Sequence, residues 1–418
     1  MKPPKLKDDC FSLPPGVDWT PVDDALVRLR ERLRCVVGEE EIAVARAGGR
    51  VLSKAVHAGR SNPAVPNSAV DGYGFAFAAL TTGVQNLPLV VGRAAAGQPF
   101  AGQVPGGSAV RILTGAQVPG GVDTVILQED VTENKGAIAF HSGLKQGANT
   151  RKAGEDVKAG DKLFGDGHRL RPTDLALISA TGVSHVPVRK ALRVGVLSTG
   201  DELRSAGEAA DDAQVFDANR PMLLEILKRW DHEAVDLGHV SDDLDKLRDR
   251  FNSAVKDVDA IITSGGASAG DEDHVSALLR NEGFIQNWRI ALKPGRPLAL
   301  GQWQNVPVFG LPGNPVAAFV CTLLFARPAL AVLSGAVWPT ADGFQVPAAF
   351  EKSKKPGRRE YLRARVSGDG QIEVFASEGS GRISGLSWAD GLVELGDHAQ
   401  EIRTGDLVKY LPYGSFGL

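Results

Sequence analysis

Residues 262–275, ITSGGASAGDEDHV, join two chemistries that ordinarily exclude each other. A glycine-rich turn after an apolar run offers bare backbone N–H groups to a phosphate. Here it runs straight into Asp271, Glu272 and Asp273. Taken alone, such a turn is a strand-to-helix connection whose acids cap the helix and complement its dipole. Two further acidic stretches shift that reading. STGDEL places Asp201 and Glu202, and SDD places Asp242, at the ends of other expected strands. Carboxylates gathered on one rim repel one another unless a cation sits among them, and Mg²⁺ takes one or two carboxylates plus substrate phosphates. The pattern predicts a metal held by the acids and bridged to a phosphate resting on the glycine backbone. The turn lacks the Lys-Ser/Thr ending of a P-loop and does not fit G-x-G-x-x-G, which counts against nucleotide hydrolysis and dinucleotide binding.

Positive charge comes from two other stretches. WRIALKPGRPLAL presents Arg289, Lys293 and Arg296, the last two flanking a Pro-Gly turn; any one of them alone reads as a solvated side chain. FGLPGNPVAAF ends a strand and starts a helix, with Asn314 at the N-cap and Pro315 at the first helical position. Its N–H groups would suit a small oxyanion, and a plain helix start carries comparable weight. SKKPGRREYLRARV is the one basic patch; without interleaved aromatics it reads as a charged β surface rather than a nucleic-acid site.

Elements must carry these residues to one place. From Ala191 to about Gly335, apolar strands such as LRVGVLSTG and VDAIITSGG alternate with helices such as RPMLLEILKRW and DDLDKLRDRFNSAV. That spacing predicts βαβ units and a mostly parallel sheet covered on both faces, with ligands at the carboxyl ends of its strands. Before it, WTPVDDALVRLRERL predicts a helix with Thr20 as N-cap, Pro21 in the first turn, Asp23 at the capping-box position, and Leu26, Leu29 and Leu33 facing a core. Short β runs between glycine and proline clusters predict a small β domain up to about Phe140. RPTDLALISATG predicts another short helix, and the chain after Pro339 returns to short strands.

Composition bounds the rest. The chain has 418 residues, 43% hydrophobic and 23% charged, with a net charge of -3. This predicts two to four domains and excludes a bulk electrostatic grip on nucleic acid or membrane. Cys10, Cys35 and Cys321 lie far apart, so neither a zinc site nor a disulfide framework is expected and a reducing cytosol is the default. MKPPKLKDDC is not followed by an apolar stretch of the kind a signal peptidase reads, and VAAFVCTLLFA is too short to span a bilayer. A cytoplasmic location is expected.

Seven stretches, NSAVDGYGF, RILTGAQVPGGVDTVI, RKAGEDVKAGD, LSTGDEL, SGGASAGDEDHV, KPGRPLALG and GLPGNPVAA, occur in the order seen in the MoeA family. The chain resembles these molybdopterin molybdenumtransferases, relatives of the gephyrin E domain, over nearly its whole length. Beyond residue 191 it also resembles the MogA-type molybdopterin-binding domain. The resemblance implies a multidomain α/β protein: an elongated N-terminal lobe (1–58 and 150–190), an inserted β domain (59–149), a MogA-like doubly wound α/β domain (191–335) and a C-terminal β-barrel (336–418). It implies insertion of molybdate into adenylylated molybdopterin with release of AMP, in a Mg²⁺-dependent step. Asp71, Thr114, Arg151, Asp156, Glu202, Asp242 and Asp273 would be catalytic positions, with Asp242 and Asp273 on the metal. Ser268, Arg289, Lys293, Arg296, Pro297, Pro312, Pro315, Arg358 and Ser380 would bind substrate, cations at Lys293, Arg296 and Arg358 neutralising the molybdate dianion.

Four positions depart from the family pattern: Val70 for Met, His274 for Tyr or Phe, Arg289 for Lys and Ala317 for Ser. The Arg289 change matters most, because Arg and Lys hold phosphates differently. The resemblance also implies a homodimer in which residues of the N-terminal lobes reach the partner's α/β domain. A MogA-type adenylyltransferase and molybdoenzyme maturation proteins are candidate further partners; nucleic acid and membrane are not. Two alternatives stay open, a molybdopterin adenylyltransferase and a non-catalytic scaffold that binds a partner peptide.

Overall fold

The run from Arg193 to Thr199 is buried at every position after Arg193, as a strand covered on both faces must be. It lies second in a six-stranded sheet ordered Glu233–Val240, Arg193–Thr199, Ala260–Ser264, Val306–Leu311, Pro297–Trp303, Phe284–Arg289. The first four strands are parallel, and Pro297–Trp303 runs antiparallel to both of its neighbours. A two-residue turn at Gln304 and Asn305, with φ of 45° and 71°, joins the hairpin between Pro297–Trp303 and Val306–Leu311, the backbone that a tight hairpin requires. The structure is a computed structural model and describes residues 19–265, 274–295 and 297–418.

Alternate side chains of this sheet feed two cores. Val194, Val196, Ile262, Phe309 and Leu311 pack with Leu223, Leu227 and Phe319 on one face. Leu197, Ile261 and Val308 pack with Leu247, Phe251 and Leu278 on the other. The doubly wound expectation therefore holds. The apolar run near Cys321 is longer as a helix than its sequence suggested. Pro315–Cys321, a π-helical stretch Thr322–Ala326 and Arg327–Leu333 continue into one another over 19 residues, long and apolar enough to cross a membrane. However, 83% of its most apolar window is buried inside the protein, so it is a core helix of the α/β layer.

Helix Val22–Arg32 packs into that same core through Val22, Ala25 and Leu29, with Leu26 and Leu33 partly buried beside them. Its start differs from the sequence expectation. Thr20 does not cap; its backbone bridges residues 289–291, donating to Arg289 O and accepting from Ala291 N, each at 2.9 Å. Asp23 turns away from the helix end to Arg359, with Nη–Oδ distances of 2.8 Å. A bidentate guanidinium partner outcompetes the local amide that a capping box would use.

Three strand pairs, Glu39–Ala43 with His185–Arg189, Val56–His57 with Lys162–Phe164, and Asn67–Ser68 with Thr150–Arg151, lead out to and back from the inserted segment. Between them, a six-stranded sheet holds Gly72–Phe75 second from one edge, between the edge strand Thr124–Leu127 and Ala109–Ile112. Helix Pro172–Ala180 starts on Arg171, with buried Asp174 at the capping-box position, where it accepts from Arg171 N at 2.9 Å.

The C-terminal strands Phe344–Pro347, Leu407–Pro412, Gly391–Leu395, Arg359–Val366 and Ile372–Val374 pair in that order. A bridge between Ala348 and Ile372 closes the ring into a barrel around Leu362, Ala364, Val393 and Val408. Leu292–Lys293, from the α/β region, joins this module as a parallel strand: Leu292 pairs Arg359 and Lys293 pairs Glu360.

Candidate active site

The acidic rim forms where the parallel strands end. Gly200 follows Arg193–Thr199 with φ 142°, and a Cβ there would stand 2.4 Å from Glu202 Oε2. Only glycine lets that carboxylate fold back over the strand end. Asp201 and Asp242 are cross-bonded: Asp242 N–H donates to Asp201 Oδ1 at 3.0 Å, and Asp201 N–H to Asp242 Oδ2 at 3.3 Å. Each loop thus fixes the other's carboxylate. Buried Asn219 donates to Ser264 Oγ at 2.8 Å and Gly313 O at 2.7 Å, tying two more strand ends to the same edge.

The glycine-rich turn with Ser268, Asp271, Glu272 and Asp273 lies outside the described residues, as do Arg296 and the side chain of Pro297. Among the described residues, no group of three or more His, Cys, Asp or Glu is arranged to hold a metal ion. The Asp201–Asp242 pair is nevertheless an oxygen-only donor set at an open edge. It fits Mg²⁺, which takes few carboxylates and completes its shell with water and phosphate.

Beside the rim, the C-terminal module meets the α/β region. Gly295, φ 98°, closes the Lys-Pro-Gly turn against the core helix, where a Cβ would come within 2.8 Å of Cys321 Sγ. Lys293 Nζ donates to Glu378 Oε2 at 2.6 Å and lies 3.5 Å from Glu360 Oε1. Lys352 also bonds Glu378 and stands 3.2 Å from Glu360 Oε2. Burial alone would push the Glu378 carboxyl up, but the bonds from Lys293 and Lys352 outweigh it and hold it below the usual range. Burial alone would lower the Lys352 ammonium, but Glu378 and Glu360 outweigh it and raise it above the usual range. Pro312 is buried, and helix Pro315–Cys321 begins next to the loop of Ser380. One of its N–H groups is taken, Val316 N–H donating to Ser380 O at 3.2 Å where the C-terminal module meets the helix. Asn314 makes no side-chain cap bond. Buried Arg358 precedes the strand paired with Lys293. Arg289 is exposed at the end of the edge strand. The structure thus brings Lys293, Pro315, Arg358 and Ser380 to one junction.

The basic stretch 353–366 is not the solvated surface its composition suggested. Lys354, Arg358, Glu360 and Arg363 are buried. Lys354 Nζ bonds the carbonyls of Lys355 and His398 at 2.9 and 3.1 Å, and Arg363 grips the carbonyls of Ser377, Gly379 and Arg382. Lys352, Glu360, Arg363 and Glu378 meet at this junction although the sequence reading singled out none of them. Their only sequence signal is charge, and their partners lie up to 85 residues away.

A third group lies at the base of the inserted domain. Thr114 donates both N–H and Oγ1–H to Asp71 Oδ1, each at 2.7 Å, and these bonds hold the Asp71 carboxyl below the usual range. Asn62 Nδ2 donates to Asp156 Oδ2 at 3.0 Å. Arg151 pairs through its backbone with Asn67, four residues before Asp71. Among the described residues no hydrogen bond or ion pair joins Asp71, Thr114 or Asp156 to Glu202 or Asp242.

Comparison with known proteins places this arrangement. Three family models match in succession: "MoeA N-terminal region (domain I and II)" over residues 20–182, "Probable molybdopterin binding domain" over 195–332, and "MoeA C-terminal region (domain IV)" over 345–413. A Haemophilus influenzae protein named molybdopterin molybdenumtransferase is 35% identical over 399 residues, 94% of this chain and 98% of its own. A Synechococcus elongatus protein of the same name is 31% identical, covering 83% of this chain and 88% of its own. The crystal structure of a molybdopterin biosynthesis moeA protein from Pyrococcus horikoshii superposes with a TM-score of 0.81 at 26% identity, covering 95% of this chain and all of that one. Fold and matched regions together define the class, a multidomain protein built around a molybdopterin-binding type of α/β domain. The chain belongs to the MoeA family.

Proposed function

We propose that this protein is a molybdopterin molybdenumtransferase of molybdenum cofactor biosynthesis, inserting molybdate into adenylylated molybdopterin and releasing AMP. One observation carries the reading: an acidic rim at Asp201 and Asp242 and a lysine-lined junction at Lys293 share the carboxyl edge of one sheet. A substrate joining a phosphoanhydride to a dithiolene that receives an oxyanion needs both kinds of charge side by side. Mg²⁺, when bound, neutralises charge on the phosphoanhydride, and Asp242 with Asp273 would hold it, Asp201 fixing the Asp242 loop. Lys293, Arg296 and Arg358 balance the molybdate dianion in a pocket that Ser268 and Pro297 complete, while the glycine backbone receives the pterin phosphate. Asp71, Thr114, Arg151 and Asp156 complete the site from a second copy of the chain, since a two-fold pair can set one copy's inserted domain over the other's rim. Cys35 and Cys321 are free thiols, in keeping with a cytoplasmic enzyme.

The test incubates the protein with adenylylated molybdopterin, with and without molybdate and Mg²⁺. AMP should appear only with Mg²⁺, and molybdenum should end on the dithiolene. Synthesis of adenylylated pterin from ATP, without molybdate-linked AMP release, would favour an adenylyltransferase; pterin binding with neither reaction would favour a scaffold. The same assay on mixed Asp71→Asn and Asp242→Asn chains should recover activity, because one site in each mixed dimer is then free of both changes.

A further inference from the structure

Lys293 and Lys352 reach the junction from the α/β region and the barrel, and one carboxylate sits between them. Glu378 accepts from Lys293 Nζ at 2.6 Å through Oε2 and from Lys352 through Oε1. Glu360 lies beneath, its side chain 10% exposed against 41% for Glu378. The inner glutamate is built in, whereas the outer one faces water. The backbone around Glu378 is fixed separately, since buried Arg363 holds the carbonyls on either side of it, Ser377 and Gly379. The carboxylate can therefore turn to solvent without the loop unfolding. A cavity of about 20 Å³ lined by Lys293, Val316, Tyr361 and Glu378 adjoins it, too small for an oxyanion while Glu378 stays in place.

We propose that Glu378 is a built-in counter-anion of the Lys293–Lys352 pair, occupying the place the oxyanion substrate takes, and that Lys352 binds that substrate alongside Lys293. Naming the oxyanion molybdate rests on the transferase reading above. A tethered carboxylate competes at an effective concentration of about millimolar or more. A monoanion offers the two ammonium groups little that Glu378 does not, so it is excluded. A tetrahedral dianion brings twice the charge and more acceptor oxygens, displaces the carboxylate, and leaves Glu378 hydrated at the mouth. The arrangement selects by charge, and it keeps two lysines from facing each other unpaired when substrate is absent.

Equilibrium dialysis of the full chain against molybdate, at fixed ionic strength and without pterin, tests this. Glu378→Gln should bind molybdate about tenfold tighter or more, as expected when a charge-assisted competitor is removed. Glu378→Asp, which keeps the charge on a shorter arm, should fall between the two, and it carries the test alone should the Gln variant not fold. Lys352→Gln should bind about tenfold more weakly than the parent. Unchanged or weaker binding in the Glu378 variants, unchanged binding in Lys352→Gln, or no molybdate binding by any of these proteins would overturn the proposal. AMP release is scored separately, so tighter binding without AMP release would keep the counter-anion and reject the transferase.

Discussion

The rim and the junction stand on one edge of one sheet and handle charge in opposite ways. At the rim, Asp201 and Asp242 are like-charged, and each is steadied by the other's backbone amide. At the junction, Lys293 and Lys352 alternate with Glu360 and Glu378. The first arrangement keeps an uncancelled negative field, which the proposed Mg²⁺ would neutralise from outside. The second is neutralised from within, so a ligand enters by exchange rather than by addition. A net charge count would rate the junction the weaker anion site. Its geometry says that its cations are already aligned, at the cost of a competitor.

Breaking the rim should have the larger effect. Asp242→Asn removes a charge proposed to hold the metal and should lower AMP release by about a hundredfold or more, roughly 3 kcal/mol of transition-state stabilisation. The amide keeps an acceptor for Asp201 N–H, so the melting temperature should barely move. Partial recovery at high Mg²⁺ would mark the lost charge as a metal contact, and parent-like turnover would return the rim to a loop-fixing role. Lys293→Ala comes next. It should weaken molybdate binding by about tenfold to a hundredfold, measured by dialysis, with a smaller effect on pterin affinity. Equal losses for both ligands would mean that Lys293 serves the pterin phosphate.

The smallest effect concerns pH. The Glu378 carboxyl lies below its ordinary value of 4.5 in the folded protein, so its contribution to stability is complete above that value. It is lost only as pH falls through the depressed folded value. Melting curves of the parent and Glu378→Gln should therefore change in parallel from pH 7 to 5, and the parent should lose its advantage below pH 4.5. Divergence already at pH 6 would show that the lysines do not hold this carboxylate ionised.

The sequence exposed the α/β layer because buried parallel strands read as unbroken apolar runs, as Arg193–Thr199 does. It exposed part of the rim for a related reason, Asp201 following such a run, while Asp242 follows the mixed strand Glu233–Val240. Thr20 and Asp23 looked like a helix cap because the pattern is local, but their true partners, Ile290 and Arg359, are 270 and more residues away. Glu378 was invisible on the same grounds. A glutamate in a Gly/Ser loop is ordinary until folding sets it between lysines 85 and 26 residues distant. The burial of Lys354 and Arg363 was hidden too, because composition cannot tell a solvated arginine from one satisfied by carbonyls.

The pairing of Leu292–Lys293 with Arg359 and Glu360 makes two domains share one strand ladder. A cut after residue 335 would therefore do more than remove a barrel. It would strip the hydrogen-bonding partner from the segment that carries Lys293 and leave that backbone open to foreign strands. Neither half is a spare part: the barrel fragment would lack its borrowed strand, and the α/β fragment would expose a sticky edge at Lys293.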